Sequence, residues 1–265
     1  MRDTGSGQHL HPGALCPSPD AAVHAPPCEA TCPMSPLTSR IATVLDQIPG
    51  DFGGACSVSK ANLIAWLIRR YGLHTTLDIG VYRGRSLFPQ ALAHQQGTGG
   101  IVYGVDPWSS VEAKEHDNLA LKDAIHAFVD QLDFEHIYQD VTSQIEQLYL
   151  EEYCIVLRQT SASAIEYFDK NGIYFDLIHV DGNHDTEKVM QDIILYLPRL
   201  NRQGFLIMDD ISWESVRPAY REVSANLPLL FKRVDRENDY AVFWNDHSFL
   251  RPLVRRFVIR YMGKY

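Results

Sequence analysis

After residue 57 the period of apolar and polar positions changes repeatedly along the chain. The run "SVSKANLIAWLIRRYG" places Leu63, Trp66, Leu67 and Tyr71 on one helical face, with Ser57 or Ser59 set to cap it and Gly72 to end it. "TTLDIG" follows as a strand, "SLFPQALAHQ" as a helix, "GIVYGVD" as a strand and "HDNLALKDAIHAFVDQL" as a polar-faced helix. Next come "CIVLRQ" as a strand, "SASAIEYFDKNG" as a helix, "FDLIHVD" as a strand, "TEKVMQDIILYLPRL" as a helix and "GFLIMDD" as a strand. Short apolar strands without polar alternation, separated by amphipathic helices, predict a doubly wound, mostly parallel α/β sheet covered on both faces. Near the end, "LLFKRV" and "YAVFW" are separated only by the polar "DREND". That link is too short for a helical crossover, so the two should be antiparallel neighbours and the last strand antiparallel.

The flanks read differently. Residues 1–36 are rich in Pro, Gly, Ala, Ser and His, lack apolar periodicity, and are expected to be a disordered extension. Met34 looks like a more natural beginning for the folded part. The domain itself is expected over 37–248 with an N-terminal helical cap, and 249–265 as a basic tail, "RPLVRRFVIRYMGKY", forming a solvated terminal helix or a subunit contact of a homo-oligomer.

Length and charge narrow the function. With 265 residues and 45% hydrophobic composition the chain suits one core, and 33 acidic against 24 basic residues give a formal net charge of -9. Such a field disfavours nucleic acid and anionic membranes as partners. No apolar run is long enough to span a bilayer and no secretory leader pattern is present, so a cytoplasmic location is expected. The odd set of five cysteines fits a reduced compartment better than a disulfide framework.

In doubly wound folds ligands sit beyond the carboxyl ends of the strands. The first strand ends in "LDIGVYRGRS", where Gly80 and Gly84 permit a tight turn and Ser86 can cap the next helix. This G-x-x-x-G spacing is not the G-x-G-x-x-G that seats a pyrophosphate, which disfavours a nicotinamide dinucleotide. The second strand ends in "YGVDPW", and the carboxylate of Asp106 has two oxygens for two ribose hydroxyls. With Asp78, these features suggest an adenosine-type ligand without phosphates.

"LDIGVYRGRS", "YGVDPW", "FDLIHVDGNHDTEKVMQDI" and "GFLIMDD" together resemble class I S-adenosylmethionine-dependent methyltransferases with their Rossmann-like fold. Within that class they are most similar to the branch of macrolide-sugar O-methyltransferases and cephalosporin-hydroxylase-like proteins. The resemblance covers about residues 57–245. It implies that Asp78, Gly80 and Gly84 line the methionine part of the cofactor, that Asp106 holds its ribose, and that "RQTSA" borders the adenine.

Methyl transfer to an alcohol needs help with the hydroxyl proton, from a Lewis-acidic cation or a general base. "DGNH" supplies Asp181 and His184 at one strand end; "MDDISW" supplies Asp209 and Asp210 at the next. Three carboxylates brought together would repel, so a cation is expected among them, and all-oxygen ligation favours Mg²⁺, or Mn²⁺ or Ca²⁺, over zinc. The related sugar O-methyltransferases place a metal on acids matching Asp181, Asp209 and Asp210 and use a histidine matching His184 as base. Some relatives use an aspartate two residues after the first ligand; Asn183 stands there and cannot serve. The expected activity is therefore a metal-assisted O-methyl transfer to a hydroxylated small molecule such as a sugar or glycosylated natural product.

Plainer readings compete. The "DD" pair, Asp181 and His184 can simply cap helices, and His179 reads as a hydrogen-bonded core histidine. Trp108 and Trp213 are either ligand platforms or loop anchors. The polar segment after Trp108 is either a lid or a surface helix. Rival functions are an Fe(II)-dependent hydroxylase, which would need a second histidine at the site, and a non-catalytic nucleoside-binding protein.

Overall fold

The computed structural model describes residues 36–51, 56–248 and 250–263. The expected disordered extension lies outside these residues, apart from Pro36, which opens the first helix. Two helices, α1 (Pro36–Asp46) and α2 (Val58–Tyr71), precede β1 (Thr75–Ile79). There follow α3 (Leu87–Ala93), β2 (Ile101–Val105), α4 (Lys122–Val129), α5 (Phe134–Gln147), β3 (Cys154–Leu157), α6 (Ser161–Asn171), β4 (Phe175–Val180), α7 (Thr186–Tyr196) and β5 (Leu200–Asp209). The last elements are α8 (Arg217–Asn226), β6 (Leu229–Val234), β7 (Asp239–Trp244) and α9 (Arg251–Met262).

Seven strands form one sheet in the order β3-β2-β1-β4-β5-β7-β6. β1 to β5 run parallel and β7 runs antiparallel to both its neighbours. This is the doubly wound, mostly parallel arrangement with an antiparallel final strand that the apolar pattern predicts. The strand order reverses direction at β1 and β4, and the crevice opens there.

Alternation along the strands assigns side chains to two cores. Leu177, Phe205 and Ile207 pack on one face with α1, α2, α3, α5 and α9, whereas Leu77, Ile79, Ile178, Val180 and Met208 pack on the other with α6, α7 and α8. Asp78, His179 and Asp209 fall on the first face: Asp78 is the register partner of His179, and His179 that of Ile207, two residues before Asp209. The strand pattern thus drives polar groups into the layer beneath α2.

Three local features differ from the sequence expectation. Ser86 precedes α3 but does not cap it; its Oγ donates instead to Asp78 Oδ2 at 2.8 Å. Phe134–Gln147 forms a helix where no element is expected, burying Ile137, Val141 and Ile145 at every fourth position. The basic C-terminal segment is a helix, mostly solvated as expected, but with one face seated on the domain. Val254, Val258 and Met262 are buried, Tyr261 stacks on Trp66 with centroids 4.5 Å apart, and its hydroxyl donates to Asn62 O at 3.2 Å.

Candidate active site

A cavity of about 570 Å³ runs across the carboxyl ends of β1, β2, β4 and β5. Its size is that of a small-molecule site. Gly80, Tyr82, Asp106 and Pro107 line one end; Asp181, His184, Asp209, Asp210 and Trp213 line the other, with Thr160, Ser161 and Asp192 along the wall.

At the first end the backbone is held in unusual conformations. Gly80 has φ +85 and a Cβ there would collide with the Asp181 carbonyl, so the exits of β1 and β4 approach as closely as they do only because this residue is glycine. Tyr82 and Trp108 also have positive φ, 47 and 43, which is costly for side-chain-bearing residues. Their amides are thereby turned onto Asp106: Tyr82 N donates to Oδ2 at 2.9 Å and Trp108 N to Oδ1 at 2.6 Å. The carboxylate is fixed in orientation and keeps further lone pairs for a ligand. Burial pushes its pKa up to about 6, against the pull of these amides.

Not every expected cofactor contact faces this cavity. Asp78 is fully buried between Ser86 and His179, whose Nδ1 lies 2.6 Å from Asp78 Oδ1. Gly84, at φ +84, makes a turn packed on Phe88. Asp78, Gly84 and Ser86 therefore shape the β1 exit from behind, while Gly80 and Asp106 stand at the cavity. Trp108 is an anchor, 2% exposed, with Nε1 donating to Tyr82 O at 2.9 Å. Thr160 caps α6, accepting from Ser163 N at 3.2 Å, and exposes its neighbour Ser161 to the cavity.

At the second end His184 is held from both sides. Its Nδ1 lies 2.6 Å from Glu115 Oε1; Nε2 lies 2.8 Å from Asp210 Oδ2 and 3.7 Å from Asp181 Oδ1. The Trp213 ring stands 4.9 Å from the imidazole. Burial alone would lower the imidazole pKa, but the Asp210 carboxylate and hydrogen bonding to Asp181, Asp210 and Glu115 raise it well above the ordinary value. Asp210 reaches this position through a left-handed backbone at φ 50.

Capping does not account for these groups. The N-cap of α7 is Asp185, whose side chain accepts from His116 N and Asp117 N at 2.6 and 2.8 Å; Asp117 Oδ2 in turn accepts from Thr186 N at 2.8 Å. Asn183 also faces the segment after Trp108, donating to Glu112 O at 2.9 Å and Lys114 O at 3.1 Å. This strap, pinned to the start of α7, delivers Glu115 to His184.

The sequence reading missed Lys60, Glu115 and Asp192. Lys60 Nζ pairs with Asp209 Oδ2 and lies 3.7 Å from Asp181 Oδ2. Burial would raise Asp181, yet the Lys60 charge, with His184 and His179, holds it well below the usual carboxylate range. Asp192, beneath Ser161, is pushed up to about 6 by burial. Lys60 stands on the same helical stripe as Leu63, Leu67 and Tyr71; a lysine on an apolar face was the available signal.

The expected metal triad does not assemble as one set. Among the described residues, Asp181 and Asp209 group with His179, and Asp181 and Asp210 group with His184. Asp209 is turned away to Lys60 and to His179, whose Nε2 lies 3.3 Å from Oδ1. A metal on the other group would take His184 Nε2 as ligand and leave the site without its imidazole base. The residues thus do not fit a hard cation on three carboxylates. Neither group contains two histidines, so an iron site of two histidines and one carboxylate is also not formed among them.

With the geometry in view, comparison with known proteins decides the family. Residues 77–211 match the model of a methyltransferase domain family. The chain belongs to that family. No curated protein matches it in sequence. Among solved structures, the O-methyltransferase of Bacillus cereus in complex with SAH superposes with a TM-score of 0.57 at 14% identity, covering 82% of this chain and 94% of that one. The O-methyltransferase NovP gives 0.60 at 14% identity, covering 80% and 97%. TomG of Streptomyces achromogenes, an O-methyltransferase of tomaymycin synthesis solved with SAM, gives 0.55 at 12% identity, covering 80% and 90%. These similarities establish the methyltransferase fold. No helix among the described residues is long and apolar enough to cross a membrane.

Proposed function

We propose that this methyltransferase uses S-adenosylmethionine to methylate a hydroxyl of a small molecule such as a sugar or glycosylated natural product. The observation that carries the reading is the single cavity joining Asp106 at one end to His184 at the other. Bound S-adenosylmethionine supplies an electrophilic methyl on a sulfonium. Asp106 accepts hydrogen bonds from the ribose hydroxyls, and Gly80 keeps the β1 exit free of a side chain at the cofactor's side. Ser161 and Asp192 stand where the cavity wall would meet the base.

His184 does the proton work. With Nδ1 tied to Glu115, its Nε2 stands at the end of the cavity between Asp210 Oδ2 at 2.8 Å and Asp181 Oδ1 at 3.7 Å. The surrounding carboxylates favour the imidazolium in the ligand-free protein, so His184 serves as base only after it has released its Nε2 proton; the neutral Nε2 then takes the proton of an acceptor hydroxyl as the oxygen attacks, and Asp181 and Asp210 stabilise the imidazolium that forms again. Trp213, packed on the imidazole, offers an apolar surface to the acceptor's carbon skeleton.

Calorimetric titration of S-adenosylhomocysteine into the purified protein tests the cofactor half. Saturable binding is expected, weakened at least about tenfold in Asp106→Ala, in line with the loss of a hydrogen bond to a charged group. His184→Ala should lower turnover on any hydroxylated acceptor found by screening by about a hundredfold or more while leaving that binding intact. No binding by the wild type would overturn the reading.

A further inference from the structure

Lys60 is a buried charge that the proposed chemistry does not use. It occupies the first turn of α2 and is 2% exposed. A cation there opposes the helix dipole, and a buried ammonium persists only when paired and hydrogen-bonded. Its site is built for that purpose. Ser57 Oγ accepts from Lys60 N at 3.2 Å and donates to Asn238 Oδ1 at 2.6 Å, fixing the start of α2 against the β6–β7 turn. The Tyr240 ring lies 5.8 Å from Nζ, and Nζ itself contacts Asp209 Oδ2 with Asp181 Oδ2 3.7 Å away.

Both oxygens of Asp209 already face a basic side chain. Oδ2 is on Lys60, and Oδ1 faces His179, which is backed by Asp78 and Ser86 in a continuous buried chain. Both Asp181 and Asp209 line the cavity, while Lys60 stands behind them.

We propose that Lys60 is a built-in cation: its ammonium holds Asp181 and Asp209 where a divalent metal would otherwise sit, so that this chain works without a metal on those carboxylates. Lys60 is a positioning residue, acting through Asp181 and Asp209. The statement about turnover rests on the methyltransferase reading; the statement about metal binding does not.

The test titrates Mn²⁺ into EDTA-treated full-length protein and follows free Mn²⁺ by electron paramagnetic resonance, for the wild type, Asp181→Asn, Asp209→Asn, Lys60→Met and Lys60→Met with Asp209→Asn. In the wild type either no saturable site is expected, or only binding that Asp181→Asn and Asp209→Asn leave unchanged. Lys60→Met should gain a site at least about tenfold tighter than any in the wild type, since it frees two half-buried carboxylates that line the cavity, and the double variant should lose it. Should Lys60→Met fold only with metal, a Mn²⁺-dependent rise in its melting temperature, absent in the double variant, is the same result. Should it not fold at all, the wild type against the two single Asn variants decides. Wild-type binding abolished by Asp181→Asn or Asp209→Asn, or no gain in a folded Lys60→Met, overturns the proposal. The same samples titrated with S-adenosylhomocysteine separate the two readings: failure to bind it removes the methyltransferase reading and leaves the metal result standing.

Discussion

Asp106 is subject to opposed demands. Burial pushes its pKa up to about 6, the amides of Tyr82 and Trp108 favour its charge, and accepting from two ribose hydroxyls requires the ionised form. Because the folded pKa lies above the ordinary carboxylate value, the folded state favours the protonated acid more than the unfolded chain does; stability from this group is present at low pH and lost as pH rises through the ordinary value to about 6. Ligand binding has the opposite sign. Affinity for S-adenosylhomocysteine should be level above about pH 7 and fall about tenfold per unit well below pH 6, with proton release on binding near pH 6. Calorimetry from pH 5 to 8 in buffers of different ionisation heat would show this, and an affinity that does not change across that range would refute it. Asp106, Asp181, His184, Asp209 and Asp210 are legible in the sequence because each ends or follows an apolar strand, the position that faces ligands in this fold. Lys60 and Glu115 are not, because their partners are remote: 149 positions separate Lys60 from Asp209 and 69 separate Glu115 from His184. Only the closed sheet and the pinned strap bring them together.

Among the elements, α9 most changes the picture of the chain's end. Its charge dominates the sequence pattern, yet Val254 and Val258, four residues apart, seat it beside β6, and Arg255 Nε donates to Leu230 O at 3.2 Å. If α9 is structural, burial should decide which side chains matter. Val258 is fully buried and Ile259 is 45% exposed. Val258→Ala should cost about 2 kcal/mol and lower the melting temperature by about 4–8 °C, while Ile259→Ala should cost well under half of that. Equal, small effects at both positions in a thermal melt would mean a helix that does not belong to the core. The strands were legible because a parallel sheet buried on both faces makes them uniformly apolar. α5 was not, because only Ile137, Val141 and Ile145 of its fourteen residues are buried, and the polar residues between them dilute the period.

For the whole molecule, the cavity matters as a junction. Its walls come from β1, β2, β4 and β5, from the strap after Trp108, and from the starts of α5 and α6. A ligand filling it would touch elements from both sides of the sheet, so binding would be linked to global unfolding and not to one loop. At a concentration of about a hundred times its dissociation constant, S-adenosylhomocysteine should add about 2.7 kcal/mol to the native state. For a chain of this size that is a rise in melting temperature of about 5 °C or more. At the same concentration Asp106→Ala should show a smaller rise, since its affinity is lower. Lys60→Met with Asp209→Asn should keep most of the rise, because that pair lies at the acceptor end and behind the wall. A full rise in Asp106→Ala together with its loss in the double variant would place the nucleoside at the wrong end of the cavity and reverse the assignment of its two ends.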